Sequence, residues 1–341
     1  MTMSDFKPIT AVTMGDPAGI GPEIVLRMMK DSKELYDQCK PFIIGSLPIL
    51  QKTEDVIGVT QPIVYNKISD PSEGKYQFGV IDVLEPNQYD CSSVVYGEVQ
   101  ELAGRMSVDY IMKSIELGKA GKIDAVSTAP IHKRAIKLAG VTQPGHTELY
   151  QDETDSKYAL TMFSTHKLRV FFVSRHMALK DAIDFASKDV VLDFVKNINT
   201  ELTQINFKNP LIAVAAMNPH GGDNGLFGRE EIDQLITAVE EAKKLGINAV
   251  GPLPADSVFY QGKDGRFDAI LSLYHDQGHI ACKTYDFEKS ITITFGLPFM
   301  RSSVDHGTAF DIAGKGIAQS VSMLESTIKV AEYAKMKHDN Q

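Results

Sequence analysis

The side chains best suited to chemistry in this sequence are imidazoles set in turns. Asn218-Pro219-His220-Gly221-Gly222, Tyr274-His275-Asp276-Gln277-Gly278 and Ser174-Arg175-His176 each end an apolar, β-rich run, and the carboxyl end of a strand is where α/β sheets place functional groups. Imidazole beside carboxylate, as in His275-Asp276, offers metal coordination or proton transfer. The loop from Asn218 to Gly228 holds more glycine and polar residues than a routine connection needs, which favours binding over linkage and makes His220 the first residue to test. His176, His220 and His275 lie far apart along the chain, so no local zinc-type spacing joins them.

Other segments offer groups for a polar or anionic ligand. Gln143-Pro144-Gly145-His146-Thr147-Glu148 sets a ring nitrogen, a hydroxyl and a carboxylate after a Pro-Gly turn. The same residues would also serve as an ordinary helix start with Thr147 as cap. Lys283, and Arg301 within the segment Gly296–Ala309, bring the local positive charge that a phosphate requires, although most such cations are solvated surface groups. Thr13-Met14-Gly15-Asp16-Pro17-Ala18-Gly19-Ile20-Gly21-Pro22-Glu23 follows a strand and opens a helix. Its glycines either let backbone approach a ligand at a helix start or simply allow a tight turn; it is neither a dinucleotide fingerprint nor a Walker loop.

The elements that must position these groups alternate along the chain. Ile9–Thr13, Phe42–Ile44, Ile123–Ser127, Val170–Ser174, Leu211–Ala216 and Ile270–Leu273 read as buried strands, a rhythm that predicts parallel sheet with helical crossovers. Between Arg229 and Leu245 the spacing of Ile232, Leu235, Ile236 and Val239 predicts a helix with one apolar face, Glu230 and Glu231 in its first turn and Gly246 beyond its last. Further helices are expected over Lys188–Leu202 and Ala318–Met336.

The 341 residues exceed one ordinary core, so two compact units are expected. A formal charge of −9 disfavours a nucleic-acid or anionic-membrane surface while leaving room for a local basic pocket. Cys39, Cys91 and Cys282 lack metal-type spacing and read as free thiols of a reducing compartment. Met1 to Lys7 shows no apolar signal core and no apolar run approaches a membrane span, so the expected location is the cytoplasm.

Taken in order, Gly15-Asp16-Pro17-Ala18-Gly19-Ile20-Gly21-Pro22-Glu23, Pro144-Gly145-His146-Thr147-Glu148, Asn218-Pro219-His220, Gly251-Pro252-Leu253-Pro254-Ala255-Asp256, Tyr274-His275-Asp276-Gln277-Gly278 and Gly296-Leu297-Pro298-Phe299 through Asp305-His306-Gly307-Thr308-Ala309 resemble the PdxA family over nearly the whole chain. That family contains the 4-hydroxythreonine-4-phosphate dehydrogenases of pyridoxal phosphate synthesis and the 4-phospho-D-threonate or 4-phospho-D-erythronate 3-dehydrogenases of sugar-acid catabolism. The resemblance implies an isocitrate/isopropylmalate-dehydrogenase-like α/β fold: two α/β/α subdomains with a central cleft. Residues 1–137 with 312–341 are expected to form one subdomain and 138–311 the other. It also implies a homodimer with a shared active site.

Carried over by position, the family's divalent-metal ligands (zinc, magnesium, manganese or cobalt) fall on His176, His220 and His275, some from the partner subunit. Its substrate contacts fall on His146, Thr147, Lys283, Thr292 and Arg301, with Asp256 in a motif lining the same cleft. Where the family usually has asparagine this chain reads Thr292, one hydroxyl in place of an amide. His279 stands where biosynthetic members carry an apolar residue and resembles the catabolic group.

The implied reaction is NAD-dependent (or NADP-dependent) oxidation at C3, with Asp256 or a water as base and the metal lowering the hydroxyl's pKa. Decarboxylation follows, with Lys283 beside the developing enolate. The product from the threonate or erythronate is dihydroxyacetone phosphate; the alternative substrate, 4-phosphohydroxy-L-threonine, gives 3-amino-2-oxopropyl phosphate. Two other classes compete: a metal-dependent hydrolase, marked by ester turnover without NAD, and a sugar-phosphate binding protein, marked by stabilisation without product.

Overall fold

The apolar runs become strands of parallel sheet. The computed structural model describes residues 5–341, so the reading of Met1 to Lys7 lies mostly outside them. Among the described residues the strands are β1 (Ile9–Thr13), β2 (Lys40–Ile44), β3 (Val64–Ile68), β4 (Val80–Leu84), β5 (Ala125–Thr128), β6 (Leu160–Thr165), β7 (Leu168–Phe172), β8 (Ile212–Ala215), β9 (Ala249–Leu253), β10 (Ala269–Ser272), β11 (Ile291–Phe295) and β12 (Met300–Val304). No helix among them is long and apolar enough to cross a membrane.

Two compact units form: Met1–Ala159 with Gly296–Met336, and Leu160–Phe295 with Lys337–Gln341. In the first, strands run in the order β3-β4-β2-β1-β5-β12 with all neighbours parallel. Parallel pairs require crossovers, which bury both sheet faces; β5 is accordingly buried throughout. In the second unit the order is β11-β6-β7-β10-β8-β9. There β7, β10, β8 and β9 are mutually parallel and β6 is antiparallel to both neighbours.

The segment 138–159 and strand β12, placed with the second subdomain by the sequence reading, belong with the first unit. Register explains the difference: Arg301 of β12 pairs with Val126 of β5. The helix His146–Glu153 is likewise held to the helix Glu101–Lys119 through the buried Tyr150 and Ser114 hydroxyls, 2.5 Å apart.

The helix expected over Arg229–Leu245 is a π-helical turn, Glu231–Leu235, followed by an α-helix, Ile236–Lys244. Leu235 and Val239 are buried as expected, whereas Ile232 and Ile236 are 36% and 44% exposed. The wider turn adds a residue to one loop of helix and rotates the apolar stripe. Gly246 follows at φ +81°, as the expected C′ residue.

The turn Gly15–Gly21 is buried throughout, so it is a packing turn and no open cradle. A Cβ on Gly15 would lie 2.4 Å from the Pro130 carbonyl, and one on Gly21 would lie 2.3 Å from the Met14 carbonyl. Within it the Asp16 carboxylate accepts from the Ala18 N–H at 2.8 Å. Burial raises its pKa to about 6 against the pull of the Ala18 and His132 N–H donors.

The folded chain therefore holds the Asp16 proton more tightly than the unfolded chain. Its contribution to stability is full below about pH 4 and is lost as pH rises through about 6, on the order of 3 kcal/mol. His279, lowered to about 4 by burial, titrates in the opposite sense over the same window, so the comparison must be between variants. Asp16→Asn is expected to lose less stability than the parent between pH 4 and 7 in urea melts; parallel curves would contradict the assignment.

Candidate active site

Three of the sequence-predicted residues come to the carboxyl-terminal end of the second unit's sheet. Strands β7, β10 and β8 are consecutive neighbours running in one direction, and His176, His275 and His220 follow their respective carboxyl ends. The strand order thus places all three at the same end of the sheet, and it brings His176 and His275 close to each other. The His176 and His275 ring centroids are 6.5 Å apart. A cavity of about 160 Å³ beside them is lined by Ser174, Met177, Leu179, Tyr274, His275 and Asp276, among others.

His275 opens the helix His275–Tyr285, and its Nδ1 lies 2.6 Å from Asp276 Oδ1. A carboxylate only accepts, so Nδ1 carries the proton, and a neutral ring then presents Nε2 as a lone pair. Behind it His279 stacks on His275, with centroids 3.8 Å apart and planes within 10°. The His279 Nδ1 donates to the His275 carbonyl at 2.8 Å. Phe163 and Phe172 enclose His279, and burial keeps it neutral, its pKa near 4. His279 is therefore a support for His275 in this geometry; its Nδ1 is committed to backbone.

His220 sits in an unusual backbone. His220, Gly221, Gly222, Asp223 and Asn224 all have positive φ, between 40° and 79°, so the segment makes a turn of left-handed helix. For the three that are not glycine this costs on the order of 1 kcal/mol each. The His220 ring is exposed, 6.3 Å from the Phe227 ring. Among the described residues of this one chain, no three His, Cys, Asp or Glu side chains are grouped to hold a metal ion.

The first unit carries the anionic-ligand residues. Arg301 is 2% exposed; its Nη1 donates to Thr147 Oγ1 at 3.3 Å and its Nη2 to Thr128 Oγ1 at 3.0 Å. The guanidinium lies 5.1 Å over the Tyr150 ring. Thr128 passes its own proton to the Ser302 carbonyl at 3.0 Å, so its oxygen is oriented to accept from Arg301. His146 is held far below its ordinary pKa by burial and by Arg301, and Tyr150 is raised to about 12 by burial. Both are neutral, and the guanidinium is the charge of this group.

His146 and Thr147 begin the helix His146–Glu153, whose cap is Gly145, not Thr147. The Thr147 hydroxyl faces Arg301 instead. His146 Nε2 is enclosed and makes no hydrogen bond with described residues.

The family described as "Pyridoxal phosphate biosynthetic protein PdxA" matches residues 37–331. The chain belongs to that family. A protein of Halalkalibacterium halodurans, described as a "Putative D-threonate 4-phosphate dehydrogenase", is 49% identical over 96% of this chain and 97% of its own. One from Symbiobacterium thermophilum with the same description is 46% identical over 97% of this chain and 98% of its own. The crystal structure of 4-hydroxythreonine-4-phosphate dehydrogenase from Klebsiella pneumoniae superposes with a TM-score of 0.90 at 36% identity, covering 97% of this chain and all (100%) of that one. This PdxA-family chain is a dehydrogenase, and the α/β fold is the one expected.

The remaining predicted residues all lie in the second unit. Lys283 is half-buried, two turns after His275 on the same helix, with Nζ 5.6 Å from the Phe287 ring centroid. Thr292 lies on β11 in register with Phe163 of β6. Asp256 is exposed in the first turn of the helix Ala255–Lys263. Sequence reasoning missed Thr128 and Tyr150 as partners of Arg301; strand register and helix packing create those contacts, and no local pattern marks them.

Proposed function

We propose that this dehydrogenase oxidises C3 of 4-phospho-D-threonate, or of its erythronate epimer, with NAD, and that the resulting 3-keto acid loses CO₂ to leave dihydroxyacetone phosphate. The observation that carries the reading is the near-full-length likeness to relatives described as D-threonate 4-phosphate dehydrogenases. The buried Arg301, whose guanidinium donates to the Thr147 and Thr128 hydroxyls, supports it, because a planar guanidinium fork suits a phosphate.

In this reading Arg301, Thr147 and the neutral His146 hold the phosphate and orient C3 toward the nicotinamide. Hydride leaves C3 while Asp256, or a water, takes the hydroxyl proton. In the keto acid the C1–C2 bond then breaks, its electron pair moving to the C3 oxygen as an enolate, and C2 gains a proton. The Lys283 ammonium faces the developing negative charge.

The donor set of His176, His220 and His275 suits a divalent ion: these are imidazoles, and Asp276 fixes the His275 tautomer. Such an ion, when bound, supplies positive charge that acidifies the alcohol and steadies the enolate. We read the set as completed across two copies of the chain. Exposed Leu226, Phe227, Ile232 and Ile236 around the His220 turn give that partner an apolar surface.

The test is NADH formation with 4-phospho-D-threonate, 4-phospho-D-erythronate and 4-phosphohydroxy-L-threonine, compared by kcat/KM. One of the first two is expected to exceed the third at least about tenfold. Equal rates would reject the substrate assignment, and phosphate release without NADH would favour hydrolysis.

A further inference from the structure

Five successive left-handed residues need something to keep them there, and the second unit contains a buried acid placed to do it. Glu231 is 1% exposed. An acid in a first helical turn ordinarily answers its own helix's N–H groups. Glu231 instead reaches back to the strand-end before the turn: Oε1 accepts from the Met217 and Asn218 N–H groups, both at 2.7 Å, and Oε2 accepts from Asn218 Nδ2 at 2.9 Å. Asn218 Nδ2 also donates to Glu230 Oε2 at 2.6 Å.

The turn closes onto that carboxylate from its other side. A Cβ on Gly222 would lie 2.8 Å from Glu231 Oε2, and one on Gly228 would lie 2.5 Å from Asn218 Nδ2, so both places require glycine. Within the turn, Gly221 N–H donates to Asn218 O at 3.1 Å and Phe227 N–H to Gly222 O at 3.1 Å. The helix itself is altered at this point, since Glu231–Leu235 is π-helical and Ile236 N–H donates to the Glu231 carbonyl. Inserted residues of this kind re-aim a side chain and recur at functional sites.

We propose that Glu231 is the positioning residue for His220: its buried carboxylate holds the left-handed turn in the one backbone shape that presents the ring beyond β8. An exposed histidine on a strained loop would otherwise relax among several conformations, and a ligand that needs one of them would be bound more weakly by that fraction. The inference rests on reading His220 as a metal ligand for its effect on ion binding, but the clamp itself stands on geometry.

The experiment uses the intact enzyme, with Mn²⁺ as the probe ion, inorganic phosphate as the control ligand, and hydrogen exchange of the backbone amides. Glu231→Gln keeps the shape and removes acceptor capacity. It is expected to weaken Mn²⁺ binding about 30-fold and to speed exchange of amides 219–227 about tenfold or more, with phosphate affinity unchanged. Gly222→Ala, which crowds Glu231 Oε2 and strains the turn at φ +79°, is expected to do the same. Glu231→Asp, which keeps the charge and draws the carboxylate back by one methylene, decides the matter if Glu231→Gln fails to fold.

Parental Mn²⁺ affinity in the folded variants would overturn the proposal, as would phosphate affinity falling in step with Mn²⁺. A parent that binds no divalent ion would reject the metal reading alone. Amide exchange then judges the clamp: unchanged exchange in the variants overturns it.

Discussion

Arg301→Gln is expected to lower kcat/KM on a phosphorylated acid about 1,000-fold, the loss of two charge-assisted hydrogen bonds in a closed site. The reason is the company Arg301 keeps. A guanidinium that is 2% exposed is costly to bury. The hydroxyls of Thr128 and Thr147 and the Tyr150 ring orient it, and His146 and Tyr150 are both neutral. A guanidinium held in this way suits the oxygens of a phosphate. Arg301→Lys keeps the charge and loses the planar fork, so it should recover part of the rate. The decisive comparison is with the same acid lacking its phosphate: the parent and Arg301→Gln should treat it alike. An equal loss on both acids would mean that Arg301 does not read phosphate.

That site shows how far sequence reading reaches. Arg301 and Thr147 are readable as chemistry-bearing types, but Thr128 is an unremarkable strand end until β5 and β12 are in register. The same holds for the imidazoles. His176, His220 and His275 each follow an apolar run, which is local information; that β7, β10 and β8 are neighbours is topological and leaves no spacing in the chain.

One local pattern left two readings open and another failed, each for a physical reason. The Gly15–Gly21 turn has the composition of a ligand cradle, yet its glycines serve close packing against Pro130 and Met14. The apolar stripe expected over Ile232–Val239 assumes 3.6 residues per turn, and the π-helical turn at Glu231 breaks that period. At the break the Glu231 carboxylate accepts from the Met217 and Asn218 N–H groups, and periodicity carries no trace of those contacts. Failures of local rules at such places are expected where a fold holds a functional segment in a costly shape.

His275→Ala is expected to reduce NADH formation about 10,000-fold, beyond rescue by added Mn²⁺ or Zn²⁺, and to leave the melting temperature near the parent's. The second half follows from exposure: the side chain is 45% exposed, so its removal opens no core cavity. The first half follows from its support. Asp276 holds Nδ1, and His279 stacks behind the ring and bonds the His275 carbonyl, an arrangement that fixes one tautomer and one ring plane with Nε2 outward. Asp276→Asn should therefore be milder, about 10–100-fold, and partly relieved by excess ion, because it loosens the ligand without deleting it. Exhaustive chelation of the parent should abolish the reaction and added ion should restore it. Activity indifferent to chelation, or a His275→Ala enzyme keeping a tenth of its rate, would remove the metal from the mechanism. The stacked His275–His279 pair would then be a packing feature of the second unit. The gap between the two variants carries the argument, since a packing role predicts that deleting an exposed ring and neutralising its carboxylate cost about the same.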